Sequence, residues 1–314
     1  MLGERYPKFA QAVQVLDQLR EKYPQFNLDG ERNIWIMKPA GSSRGRGICL
    51  KRDLCEILDM IKHRDDKAAI SNQKNGQLYI CQKYIEQTLL MKCRKFDIRQ
   101  WVLVTDWNPL TIWIYAEPYI RFPAADFDFN KISNRYAHLS NNSVAKYGKK
   151  QKITHHIDGN MWDLETFQGY LLDTYGYDVW EDKIAESIKN VVINSLESVQ
   201  DVFESKRGVP FEMFGYDIMV DDDFNCWLIE VNSSPAMDYS TPVTERLVKM
   251  VLEDTIKVVV DHGMAPPKKQ KKVDTGGFEC VYKAKRIVDK PMNSFGLNME
   301  VVGKKISKNH LKKY

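Results

Sequence analysis

The sequence predicts an α+β fold. Three observations carry the prediction: β-branched and aromatic runs of strand length, longer stretches with apolar residues on one helical face, and turn-rich joints that read as hairpins. In residues 7–22, Phe9, Ala12, Val13, Leu16 and Leu19 share one face of an amphipathic helix. IWIM (34–37) and GICL (47–50) read as short strands around a loop of small residues and arginines. Leu54, Ile57, Leu58 and Ile61 mark a second helix. LYICQKYI (78–85), FDIRQWVLV (96–104) and LTIWIYA (110–116) have strand composition. Residues 117–180 are hard to read, with loop chemistry in SNNSVAKYGKKQK (140–152). Ile184, Ile188, Val191, Val192, Val199 and Phe203 place a helix over 181–204. FGYDIMV (214–220) and CWLIEV (226–231) form a hairpin joined by DDDFN. Thr241 caps a helix that Pro242 opens and that runs to about Asp261. Beyond Gly263, APPKKQKK reads as a linker.

A chain of 314 residues is long enough for two lobes. No stretch approaches the roughly 18 uninterrupted apolar residues of a membrane span, and MLGERYPKF lacks the apolar core of a signal peptide. Six scattered cysteines without CxxC spacing argue against a zinc site or a disulfide framework and for a reducing, intracellular setting. The net charge of +4 is uneven: residues 263–314 carry 13 Lys and Arg against 4 Asp and Glu, or +9, which leaves −5 for residues 1–262. Such a tail suits an acidic partner, or is a solvated end.

Three groups carry chemistry. In NIWIMKPAGSSRGRGICL, Lys38 ends a strand, and Gly41, Gly45 and Gly47 free backbone amides to approach an anion. Arg44 and Arg46 add planar donors for phosphate or carboxylate. The Gly-Lys-Ser/Thr ending of a P-loop is missing, and a solvated basic turn is the competing reading. In the hairpin, Glu230 and Asn232 are two apart on one strand face and Asp217 lies across from them. Such oxygen ligands suit Mg²⁺, or the acids simply pair with basic residues. Asp221–Asp223 read as an exposed turn. In KFDIR, Lys95, Asp97 and Arg99 share a face that is either solvated or lines a cleft, while Phe96 and Ile98 face the other way. Gln82 to Ile85 end another strand; a strand end can offer backbone groups to a base edge, but nothing in these four residues by themselves demands it. No nucleophile triad stands out, His155-His156 read as a surface pair, and Trp101, Trp107 and Trp113 as core or edge aromatics rather than a nucleic-acid platform.

WIMKPAGSSRGRGI, QKYIE, KFDIRQWVLV, HLSNNSV, FEMFGYDIMVD and WLIEVNSSP, in this order, resemble the tubulin–tyrosine ligase-like family. EVNSSPAMDYSTPVTERL and IWIYAEPYIRFP look most like its glycylase branch. The resemblance implies an ATP-grasp fold with the nucleotide between two lobes of mixed or antiparallel sheets: a central lobe at 1–105, a C-terminal lobe at 106–262 carrying the hairpin, and a poorly ordered basic linker and tail at 263–314. It implies that Lys38 and the Arg46-Gly47 backbone hold ATP phosphates, that Gln82, Lys83, Tyr84 and Ile85 are the adenine hinge, and that Lys95, Phe96, Asp97, Ser140 and Asn141 border the nucleotide. Asp217, Glu230 and Asn232 would hold Mg²⁺, and Arg121 the incoming amino acid or the intermediate. Arg44 would face the acceptor, with Asn142 and Ser143 beside the amino-acid site. Arg121, Lys95 and Glu230 are the catalytic candidates.

The implied activity is ATP-dependent attachment of glycine to glutamate side chains in tubulin tails through an acyl phosphate. The expected setting is cytoplasm, cytoskeleton and cilium, as a monomer without nucleic acid or membrane. Family members carry a lobe before the first helix read here, so a fragment or short isoform is expected. Two rivals stay open: a glutamylase of the same family, and an impaired tubulin-binding fragment.

Overall fold

The computed structural model describes residues 7–23, 32–40, 42, 44–61, 78–200, 211–285 and 287–288. Phe203, Gly41 and the chain from 289 onward lie outside them. Two antiparallel sheets organise the described residues. In the smaller, β1 (Trp35–Pro39) runs between β2 (Cys49–Lys51) and β3 (Tyr79–Lys83). The larger has seven strands built around β4 (Asp97–Trp107). One edge of β4 is shared by two partners: β5 (Leu110–Tyr115) pairs with its second half and β6 (Tyr119–Arg121) with its first three residues. β7 (Met161–Asp163) follows β6. The other edge of β4 takes β8 (Glu212–Val220), which pairs in turn with β9 (Cys226–Asn232). β10 (Phe278–Lys283) pairs with the outer edge of β5.

Strand alternation explains why the middle of this sheet reads as apolar throughout. Ile98, Val102 and Val104 of β4 pack on one face with Phe167 and Leu171 of a helix over Leu164–Tyr175 and Ile188 and Val192 of a helix over Ala185–Glu197. Trp101 and Leu103 pack on the opposite face with Leu247, Val248 and Val251 of the helix Pro242–Ile256. A strand covered on both faces needs apolar residues at every position. Trp101, Trp107 and Trp113 are all buried, so they serve the core. Thr241 caps its helix through a reciprocal pair with Thr244, and Pro242 takes the first turn, as the sequence predicts. The helices of 7–22 and 54–61 form where predicted, with Val13, Leu16 and Leu54 exposed.

Both lobe boundaries read from the sequence shift. The cut at 105 falls inside β4, whereas the two sheets divide between β3 and β4, at residues 84–96. The cut at 263 is also too early. β10 belongs to the sheet, with Phe278 buried against Tyr115 at a ring separation of 4.9 Å. The turn before it is seated on Asp254, which accepts from the Gly277 amide and the Tyr115 hydroxyl. Residues 117–180, unread in the sequence, supply β6, β7, a full helix and two single helical turns, Arg135–His138 and Asn142–Ala145.

Candidate active site

A row of charged side chains crosses four strands of the large sheet, and pairing register builds it. Asp97 and Arg99 stand two apart on β4. Arg121 of β6 is the partner of Asp97, Asp217 of β8 is the partner of Arg99, and Glu230 of β9 is the partner of Asp217. The Arg121 Nε donates to Asp97 Oδ1 at 2.6 Å, and its second nitrogen lies 2.8 Å from Asp217 Oδ2. The Arg99 Nε donates to Asp217 Oδ1 at 2.6 Å, and the Ser140 hydroxyl donates to the other Asp97 oxygen. All four charged groups are buried, two positive and two negative, so their desolvation is met by mutual pairing.

Asp217 is the better compensated acid. Burial alone would raise its carboxyl, but the guanidiniums of Arg121 and then Arg99 hold it well below the usual carboxylate range. Glu230 behaves oppositely: burial, then the Asp217 charge and a hydrogen bond to it, push its carboxyl up. The same acids face Lys38, whose pKa is lowered by burial against their opposing pull. Burial also lowers Lys95, to about 8, with Asp97 opposing and Lys38 assisting the drop.

These groups edge a cleft open to solvent and lying between the two sheets. Lys38 and Ile36 of β1, Ile48 of the following loop, and Gln82 to Ile85 form the wall from the small sheet. Lys95, Asp97, His138 to Asn141, Asp217, Met219, Ile229 and Glu230 form the rest. Tyr84 is fixed from two sides, its amide donating to the Ile34 carbonyl and its hydroxyl 3.0 Å from His138 Nδ1. Lys83 is held by Glu86 at 2.8 Å, and Glu86 also accepts from the amides of Arg32 and Ile34. A second, basic groove is lined by Arg44, Arg46, Arg135, Ser143, Lys146 and neighbouring residues.

The structure therefore gathers Lys38, Gln82, Lys83, Tyr84, Ile85, Lys95, Asp97, Ser140, Asn141, Asp217 and Glu230 in one cleft. Arg44, Arg46 and Ser143 line the groove instead. Arg121 sits buried behind the cleft between two aspartates. Asn232 lies opposite Gly215, to whose carbonyl its amide nitrogen donates. Gly47 packs near Pro39, and Asn142 opens a helical turn. Phe96 is a correction: its side chain is buried among Phe122 and Phe167, on the core face that strand alternation assigns it. Asp221 is another, because it is buried and accepts from Asn225, the Asp223 amide and the Trp227 indole. His155 and His156 are exposed, as read from the sequence. The sequence reading missed Ile36, Ile48, His138, Leu139, Met219 and Ile229. Met219 was accessible in principle, since it alternates with Asp217 on one strand face.

Among the described residues no three His, Cys, Asp or Glu side chains cluster closely enough to hold a metal by themselves. Two abutting carboxylates and a nearby amide do fit Mg²⁺, which commonly takes one or two carboxylates and completes its shell with phosphate and water.

Residues 2–271 match the model of the Tubulin-tyrosine ligase family. The chain belongs to that family. Among relatives, it is 49% identical to Tubulin glycylase 3C of Tetrahymena thermophila over 94% of this chain and 27% of that protein. It is 40% identical to Tubulin monoglycylase TTLL3 of Homo sapiens over 86% of this chain and 33% of that protein. Protein monoglycylase TTLL8 of Mus musculus is 40% identical over 96% of this chain and 35% of its own length. The chain thus spans about a quarter to a third of these relatives. Within this tubulin–tyrosine ligase family member, all six cysteines are free thiols, and no described helix is long and apolar enough to cross a membrane.

Proposed function

We propose that this chain is the ligase part of a tubulin glycylase of ATP-grasp type, joining glycine to glutamate side chains of tubulin tails at the expense of ATP. One observation carries the reading: a cleft between two antiparallel sheets sets two lysines against two abutting carboxylates, beside an apolar pocket of Ile36, Ile48, Leu139, Met219 and Ile229. Base, phosphates and a divalent cation need those three environments side by side. Glycine as donor rests on the relatives, which are named glycylases and monoglycylases.

In this reading the acceptor γ-carboxylate takes the γ-phosphoryl group of ATP with release of ADP, and the glycine amine then attacks the acyl carbonyl, loses a proton and displaces phosphate to leave an isopeptide bond. Asp217, Glu230 and the Asn232 amide would hold Mg²⁺, whose positive charge offsets the negative charge of the phosphates when bound. Lys38 of the small-sheet wall and Lys95, on the same wall as the acids, neutralise phosphate oxygens, and the Tyr84 segment borders the base. Asp97 and Asp217 hold Arg121 rigidly, so its charge is preset for the glycine carboxylate or the reacting centre. The acidic acceptor approaches from the basic groove, with Arg44 and Arg46 on its path. The cytoskeleton, and cilia among its sites, is the corresponding place of action.

The test is incorporation of radiolabelled glycine or glutamate into purified tubulin by the full chain, with Glu230→Gln beside it. Glycine incorporation that Glu230→Gln abolishes, with an unchanged circular dichroism spectrum, is expected. Glutamate incorporation without glycine, or full activity in Glu230→Gln, overturns the reading.

A further inference from the structure

The backbone of the loop between β1 and β2 is held by side chains from the two helical turns Arg135–His138 and Asn142–Ala145. Arg44, Gly45 and Gly47 have φ of 60°, 69° and 72°. For Arg44 this left-handed conformation is costly and persists only where surrounding contacts fix it. Two hydrogen bonds supply them. The Ser143 hydroxyl donates to the Arg44 carbonyl at 2.8 Å, and Arg135 Nη2 donates to the next carbonyl, that of Gly45, at 3.0 Å. Gly45 is buried so tightly that a Cβ on it would lie 2.9 Å from Val144 and 3.2 Å from the Asn141 amide oxygen. Asn141 lines the cleft, whereas Arg44, Arg135 and Ser143 line the basic groove. The strap of residues 44–47 thus touches the cleft lining through Gly45 on Asn141 and presents Arg44 and Arg46 to the groove.

We propose that Arg135 is a positioning residue: by holding the Gly45 carbonyl, with Ser143 on its neighbour, it keeps the strap closed over the nucleotide cleft and so sets the rate at which nucleotide leaves. The proposal rests on the cleft being a nucleotide site. Two bonds to consecutive carbonyls fix both position and twist of the strap, which one bond would not. Loss of the Arg135 bond frees the strap to swing about Gly45 and Gly47, the glycines at which positive φ carries no side-chain penalty. The same bond presents Arg44 and Arg46 to the groove, so release of nucleotide and acceptor contact are tied to one short segment.

Stopped-flow dissociation of a fluorescent ATP analogue (the N-methylanthraniloyl derivative) with Mg²⁺ from the full chain is the test. Arg135→Ala is expected to speed dissociation about three- to tenfold, the loss of one hydrogen bond, and Arg135→Lys, which still offers a donor, to restore most of the slow rate. Ser143→Ala acts on the adjacent carbonyl and gives the same direction with a smaller excision, so the outcome does not depend on one variant folding. Dissociation unchanged in Arg135→Ala and Ser143→Ala overturns the proposal, and a rise confined to the KM for tubulin assigns Arg135 to the acceptor alone. Failure of the wild-type chain to bind the analogue overturns the nucleotide reading itself.

Discussion

Lys95 gives the sharpest quantitative test of the cleft. Its pKa of about 8 comes chiefly from burial, with Asp97 opposing the shift and Lys38 adding to it. In the free protein Lys95 is thus about nine-tenths protonated at pH 7 and about one-tenth at pH 9, since one pH unit past the pKa changes the ratio tenfold. A bound polyphosphate holds the proton on Lys95, so the affinity for MgATP follows the protonated fraction of the free protein. The expected loss between pH 7 and pH 9 is about tenfold, or about 1.4 kcal/mol. In the magnesium complex the last phosphate proton of ATP is lost below pH 7, so the nucleotide adds little titration of its own over this range. The linkage of Lys95 to stability runs the other way. Between pH 8 and 10.5 the unfolded chain keeps a proton on this lysine that the folded chain releases, so in that window this group favours the fold as pH rises. Equilibrium titration with a fluorescent ATP analogue at pH 7, 8 and 9 measures the profile. Lys95→Arg, charged throughout, is expected to bind with a flat profile over the same range. A wild-type profile as flat as that of Lys95→Arg refutes the assignment of Lys95 to the phosphates.

His138 makes a prediction about acid stability. Burial and then the Lys95 charge lower its pKa to about 4 from 6.5, so the stability it permits is complete above pH 6.5 and is lost as pH falls towards 4, by about 3 kcal/mol in all. Urea denaturation of His138→Gln, which keeps a polar group opposite the Tyr84 hydroxyl, is expected to lose correspondingly less between pH 7 and 4; equal losses in both proteins refute the linkage. Gly276 tests the extension of the sheet past residue 263. A Cβ there would sit 1.9 Å from the Asp254 carboxylate on a backbone with φ of +59°, so Gly276→Ala is expected to lower stability by about 1–3 kcal/mol. An unchanged thermal midpoint would mean that the Asp254 seat does not hold β10.

How much of the site was legible depended on the range over which the information is written. Period-two alternation is local, so a shared face for Lys95, Asp97 and Arg99, and the core-facing side of Phe96, followed from five residues. Whether that face met water or a cleft did not, because the answer lies with Arg121 and Asp217, which reach it only through pairing of β6 and β8 with β4. His138 and Arg135 escaped for a different reason: they sit in a single helical turn, too short to show any period. Asp221 was hidden by its own turn, where an acid is ordinary on composition and exceptional only in its burial. β10 was masked by the lysines around it, since an edge strand asks for few buried side chains and Phe278 is the one that is deeply buried. The long-range pairing also distributes charge unevenly along the row. Asp217 meets two guanidiniums and is held as an anion, while Glu230, one strand further out, has its carboxyl pushed up by burial and by Asp217. Positive charge is therefore in shortest supply at Glu230. A cation brought in with the nucleotide relieves the repulsion between the two acids there, whereas at Asp97 or Arg121 it would disturb pairs that are already satisfied.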